Sequence, residues 1–154
     1  MGTIVVSDNV SLDGVIQDPA GDEGFRVGGW VGLIKDREEV NKVTLDEALG
    51  TEALLLGRRS YEWFAERWPA RTGELADRLN SLPKYVVSST LEAADWNNST
   101  VLKGEAVDEV SKLKQALDGE IVVYASRQLV HTLMEHDLVD ELRLMVYPVV
   151  LGAG

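Results

Sequence analysis

Two short runs, Ala53–Leu56 and Ile121–Tyr124, are apolar at every position, and each passes at once into small residues and a helical pattern. A strand without a polar side must be covered on both faces, which is the habit of a parallel sheet between helices. Further strand patterns lie at Thr3–Ser7, Tyr85–Ser88, Thr100–Leu102 and Leu142–Tyr147. Helices are expected over Asp36–Leu49, with Val40, Val43 and Leu45 or Ala48 inward, over Ser60–Trp68 before Pro69, and over Leu75–Leu82. Ala106–Leu117 repeats Val107, Val110, Leu113 and Leu117 at helical spacing. A last helix starts at Ser126 as N-cap, with Leu129, Val130, Leu133 and Met134 on its apolar side. Strands alternating with helices of crossover length predict an α/β fold with a mostly parallel central sheet flanked by helices. A length of 154 residues suits one domain, 1–154.

Composition narrows the functions open to such a sheet. Lys and Arg number 15 against 26 Asp and Glu, a net charge of −11. An acidic surface argues against nucleic acid and anionic membranes as partners. No apolar run reaches the ~20 residues that span a bilayer. Met1-Gly2-Thr3-Ile4-Val5-Val6 carries no basic stretch and no cleavage signal, so a cytoplasmic protein is expected. The absence of cysteine removes disulfides, thiol nucleophiles and thiolate metal sites together. His131 and His136 fall on different faces of one predicted helix, and no metal site is expected. Zincin, serine-hydrolase and Walker motifs are missing, so an enzyme of this sequence would borrow its chemistry from a cofactor.

In parallel sheets, ligands sit beyond the strand ends from which the helices depart. Three such ends carry suitable residues. After Leu56 come Gly57, Arg58, Arg59 and Ser60: a close backbone approach, a helix N-terminus and two guanidinium forks, all suited to phosphate. A capped helix with solvated arginines explains the same residues. Ser88, Ser89 and Thr90 follow the next strand and suit either a phosphate or an ordinary turn. Ala125, Ser126, Arg127 and Gln128 offer small residues and a helix start after Tyr124. Taken together, the three ends read as a site for a nucleotide with several phosphates. The glycine-rich stretch Asp18–Gly32, with Phe25 and Trp30, reads either as a movable cover or as a surface loop anchored by its aromatics.

Gly57-Arg58-Arg59-Ser60-Tyr61-Glu62 resembles a motif of the dihydrofolate reductases, and Ser11-Leu12-Asp13-Gly14-Val15-Ile16 resembles their first-strand exit. Leu138-Val139-Asp140-Glu141-Leu142, with Tyr147-Pro148-Val149-Val150-Leu151-Gly152, is more similar to the C-terminal reductase domain of riboflavin biosynthesis (RibD) and its stand-alone bacterial relatives. The resemblance runs from Thr3 to Gly154. It implies a dihydrofolate-reductase-like fold that binds NADPH and transfers its hydride. By position, Arg58, Arg59 and Ser60 would meet cofactor phosphates, with Arg58 near the 2′-phosphate. Ser88, Ser89 and Thr90 would lie at the adenosine end, and Ala125, Ser126, Arg127 and Gln128 along the diphosphate. Asn9 and Ile16, with the backbone near Asp13 and Gly14, would flank the nicotinamide. Asp13 is the acid nearest that ring, and either a proton donor or a turn residue before Gly14.

Departures from the family shape the expected substrate. Ala125-Ser126 stands where relatives often carry Gly-Gly or Gly-Ser. The pterin-gripping acid of dihydrofolate reductases would fall near Asn41, so folate is not the expected substrate. A ribose-phosphate substrate would want basic residues, for which Arg26, Lys35 and Arg37 are the candidates. The leading expectation is an NADPH-dependent reductase of a small heterocyclic or carbonyl compound, working as a homodimer. The alternatives are a non-catalytic NADPH or nucleotide-binding module of the same fold, and a structural or regulatory dimer without ligand. Relatives continue past the Pro148–Gly154 turn, so the last strands of the sheet are expected beyond Gly154.

Overall fold

The computed structural model describes residues 1–154. Six strands are present: β1 Thr3–Ser11, β2 Thr51–Gly57, β3 Lys84–Val87, β4 Ser99–Leu102, β5 Glu120–Tyr124 and β6 Glu141–Tyr147. Five α-helices connect them: α1 Glu38–Leu49, α2 Arg58–Arg67, α3 Glu74–Ser81, α4 Ala106–Ala116 and α5 Arg127–Glu135. The strands form one sheet in the order β4-β3-β2-β5-β1-β6, and every pairing is parallel. The α/β class and parallel sheet expected from the sequence are the observed architecture.

Each face of the sheet carries its own core. Val5, Leu54, Leu56, Val86 and Val122 meet Ala48 of α1, Tyr61 of α2 and Leu79 of α3. Ile4, Val6, Leu55, Ile121 and Val123 meet Val110 and Leu113 of α4 and Leu129 and Leu133 of α5. Leu54, Leu55 and Leu56 are buried on alternate faces in succession, which is why β2 has no polar side. No helix is long and apolar enough to cross a membrane.

Two expectations need correction. The first strand does not stop at Ser7 but runs to Ser11, because β6 pairs with it through Ser11↔Tyr147. The polar pair Asp8-Asn9 hides this continuation in the sequence. Val43 does not face the core; it is exposed, and α1 turns Val40, Thr44, Glu47 and Ala48 toward the sheet instead.

Where the strands begin, long cationic side chains close the structure. Lys84 is fully buried, and its Nζ donates to the carbonyls of Asn80 at 2.6 Å and Asn97 at 2.8 Å, over the Trp96 ring. Burial pushes its pKa down to about 8. Arg78 on α3 donates to the carbonyls of Ala48 at 3.0 Å and Thr51 at 2.8 Å. Lys114 on α4 reaches Asp140 at 2.7 Å and the Leu138 carbonyl at 3.2 Å.

Candidate functional site

The other end of the sheet is built differently. β5 ends at Tyr124, in register with Ser7, whereas β1 continues for four residues paired with β6 alone. This leaves a crevice beyond β5. The chain departs from it through Ala125 and Ser126, both left-handed, at φ 49 and 56 degrees. Such conformations cost about 1–3 kcal/mol each in non-glycine residues and persist only where neighbours enforce them. Ser126 supplies the enforcement. Its N–H donates to Ser60 Oγ at 2.9 Å, and its Oγ accepts from Gly57 N–H at 2.9 Å while donating to the Tyr124 carbonyl.

These bonds hold the first turns of α2 and α5 side by side. Neither helix has a capping side chain at its N-cap position; the same holds for α1 and α3, and only α4 is capped in this way, by Glu105. Ser126 occupies the N-cap position but spends its hydroxyl on Gly57, a correction to the expected cap. Ser60 is likewise turned toward Ser126. Gly57 has φ −76 degrees, and a Cβ there would meet Ser126 at 3.7 Å, so neither conformation nor space requires glycine. Arg58 pairs with Glu62 at 3.1 Å, while Arg59 is exposed without an acidic partner. Arg127 and Gln128 are exposed at the start of α5. Two uncapped N-termini with unshared guanidinium charge are what a diphosphate needs, so the residues fit such a group.

Ser88 lies beside this region but is committed to its own turn, accepting from Thr90 N–H at 3.3 Å and Leu91 N–H at 3.0 Å. Ser89 and Thr90 are exposed at the rim. Asn9 and Ile16 are both half-buried, Asn9 on the strand that borders the crevice and Ile16 in the turn after it. Asp13 has a different occupation from a proton donor. It accepts from Ser11 Oγ at 2.6 Å and from the N–H groups of Leu151 and Gly152 at 3.2 and 2.9 Å. The Ser11 bond, followed by the two backbone donors, holds its carboxyl down to about 2. Asp13 therefore ties the β1 exit to the C-terminal turn and is a poor acid at neutral pH.

The face toward α1 turns polar near the crevice. Tyr124, Ser7 and Arg143 lie in one row across β5, β1 and β6. Glu47 descends onto the row, accepting from Ser7 at 2.9 Å, Tyr124 at 3.0 Å and Arg143 at 3.4 Å. Burial, and then the Glu47 charge, push the Tyr124 hydroxyl well above the usual phenol range. Arg143 is also held by Glu120 and Glu141. The sequence reading missed this group. Its one signal is Glu47 at helical spacing from Val40 and Thr44, an acid on a face otherwise turned inward.

Asn41, Asp36, Glu38 and Glu39 are all exposed. Arg37 is committed to the Tyr147 hydroxyl at 3.0 Å and the Val31 carbonyl at 3.2 Å, while Arg26 and Lys35 are exposed. The glycine-rich stretch is an anchored loop. Trp30 is buried, its Nε1 donating to the Gln17 carbonyl and its ring set edge-on to Tyr147. Buried Asp18 accepts from the N–H groups of Glu23 and Phe25, and a Cβ at Gly28 would collide with its carboxylate. Asp22 clasps the loop to α2 through Trp63 at 3.1 Å and Arg67 at 3.5 Å. A cavity of about 420 Å³ on the outer side of α2 contains Glu62, Glu66 and Asp95, a lining that repels phosphate.

A family model described as the RibD C-terminal domain matches residues 3–154. The uncharacterized protein YyaP of Bacillus subtilis (strain 168) is 33% identical over 108 residues, which cover 67% of this chain and 57% of YyaP. The match therefore spans a little over half of that relative's length. A crystal structure of a candidate riboflavin biosynthesis protein from Shewanella sp. PV-4 superposes with a TM-score of 0.73 at 22% identity, over 99% of this chain and 80% of that one. This last likeness establishes a common fold.

Proposed function

The chain belongs to the RibD C-terminal domain family, a reductase-type family, and on that premise we propose that it is an NADPH-dependent reductase of a small heterocyclic or carbonyl compound. The observation that carries the reading is the pair of uncapped helix N-termini, α2 and α5, locked together by Ser126. When bound, NADPH supplies the hydride. The protein's part is to hold donor and acceptor face to face and keep water out. First-turn N–H groups of both helices receive the diphosphate. Arg59, free of acids, and Arg58, shared with Glu62, suit the 2′-phosphate that separates NADPH from NADH. Ser89 and Thr90 reach the adenosine end, and Asn9 and Ile16 border the nicotinamide.

The acceptor lies between α1 and the ends of β1 and β6, above the Glu47–Tyr124–Ser7 group. With Arg37 committed and Arg26 and Lys35 out in solvent, this cleft suits an uncharged acceptor better than a ribose phosphate such as 5-amino-6-(5-phosphoribosylamino)uracil. A second reading, a binding module without turnover, is favoured by one observation: Asp13 and Glu47, two acids beside the cleft, are both saturated with donors. Fluorescence titration with NADPH tests the common part, and absence of binding at near-millimolar cofactor sinks both readings. NADPH oxidation across uncharged carbonyl and heterocyclic acceptors then decides between them. Arg59→Ala is expected to weaken NADPH more than NADH; equal losses would remove the 2′-phosphate assignment.

A further inference from the structure

We propose that Asp8 biases the nicotinamide end of the site toward the oxidised, positively charged form of the cofactor, and so assists hydride donation. The inference rests on the NADPH reading above. Backbone bonding alternates along β1. Thr3 N–H turns to the β5 side, bonding the Gly119 carbonyl, and Ile4 turns to the β6 side, accepting from Asp140 N–H. Continuing that alternation, Asn9 N–H points to the side that β5 has vacated. The Asp8 carboxylate takes that donor, Oδ1 accepting from Asn9 N–H at 3.0 Å. Asp8 thus sits at the mouth of the crevice, on the strand that borders the nicotinamide in the proposed complex.

No other group satisfies it. Asp8 is half-buried and forms no ion pair. On β6 its register partner is apolar Leu144, and Arg143 lies in the Ser7 row on the other face, held by Glu47, Glu120 and Glu141. On α5, Arg127 and His131 are exposed, and on α4 Lys114 is taken by Asp140. Past Tyr124, whose hydroxyl is turned to Glu47, the chain offers only Ala125 and Ser126. A half-buried carboxylate lacking a cation is unusual, because the charge loses hydration without compensation. That loss pushes its pKa up to about 6, so it is still ionised at neutral pH.

Hydride transfer creates the missing cation. The C4–H bond of the dihydronicotinamide breaks, both electrons pass with the hydrogen to the acceptor, and the acceptor takes a proton from water. The cofactor is oxidised and its ring becomes positive; the acceptor is reduced. A fixed carboxylate nearby stabilises that developing charge and discriminates between the two cofactor forms.

Titrating NADPH and NADP⁺ against the wild type and Asp8→Asn at pH 7.5 tests this. Asparagine keeps the shape and the bond to Asn9, so only charge is removed. The ratio of NADP⁺ to NADPH affinity is expected to fall roughly ten-fold in the variant. In the wild type the same ratio should fall between pH 7.5 and 5, and in Asp8→Asn it should stay flat. The cofactor's 2′-phosphate titrates in this range too, but in both forms, so it cancels in the ratio. An unchanged ratio, or equal weakening of both forms, overturns the role of Asp8 while leaving NADPH binding intact. Failure of the wild type to bind NADPH removes the functional reading as well. The wild-type pH series needs no substitution, so it tests the proposal even if the variant folds poorly.

Discussion

The two ends of the sheet satisfy their polar groups in opposite ways. Where strands begin, free carbonyls are met by buried or half-buried cations: Lys84 on Asn80 and Asn97, Arg78 on Ala48 and Thr51, Lys114 on Leu138. Where strands finish, Ser126 and Ser60 hold the first turns of α2 and α5 side by side, and Asp8 keeps a charge without a cation. Lone donors and lone charges inside a fold are costly. The contrast teaches that the first end spends its charges on the fold, whereas the second leaves donors and a charge unspent, as the proposed cofactor site requires.

Breaking the closed end should cost the most. Lys84→Ala empties a fully buried position and removes the donor shared by the Asn80 and Asn97 carbonyls, and is expected to lose about 3 kcal/mol in denaturant unfolding, with NADPH affinity unchanged in the protein that remains folded. A loss below about 1 kcal/mol would mean that water replaces the ammonium there.

The open end should respond with the opposite sign. Asp8→Asn is expected to stabilise the fold by about 2 kcal/mol at pH 7.5, since a poorly solvated charge is removed. The folded pKa of Asp8 is raised above 3.8, to about 6. The folded state therefore binds more protons than the unfolded state between these values, and wild-type stability should rise as pH falls through that window. The gain of Asp8→Asn over wild type should shrink accordingly toward pH 4. Asp140 provides the contrast at the closed end. Bonding to Lys114 holds its carboxyl below the usual range, so its contribution is present above 3.8 and lost on further acidification.

Two substitutions in the β5–α5 turn give smaller effects. Ser126→Ala removes the acceptor for Gly57 and is expected to destabilise by about 1.5 kcal/mol and to weaken NADPH, because α2 and α5 lose their registration. Ala125→Gly relieves a left-handed alanine and is expected to stabilise by about 0.5 kcal/mol in thermal unfolding, leaving NADPH binding in place. A loss of stability there would mean that the alanine methyl packs more usefully than the strain costs.

Much of this was legible in the chain. Ala53–Leu56 and Ile121–Tyr124 announced buried parallel strands, since burial on both faces demands apolar residues throughout. Gly57–Ser60 and Ala125–Gln128 marked strand ends that pass into helices, and the structure sets those ends side by side. Other features escaped. Asp8-Asn9 looks like the end of a strand because alternation in a short run is weak evidence, yet pairing with β6 carries β1 to Ser11. Asp13 looks like an acid near the site, but its partners, Leu151 and Gly152, are far away in sequence and close only in the fold.

Local sequence determined which segments are strands and which are helices, and that the sheet is parallel, because burial and periodicity are written residue by residue. Tertiary structure decided what each polar group does. Ser126 became a brace instead of a cap, Glu47 gathered Ser7, Tyr124 and Arg143, and Asp8 was left without a cation. A side chain's role follows from which donors and charges it meets across the fold, and those meetings are set by strand order and register, which no single segment encodes.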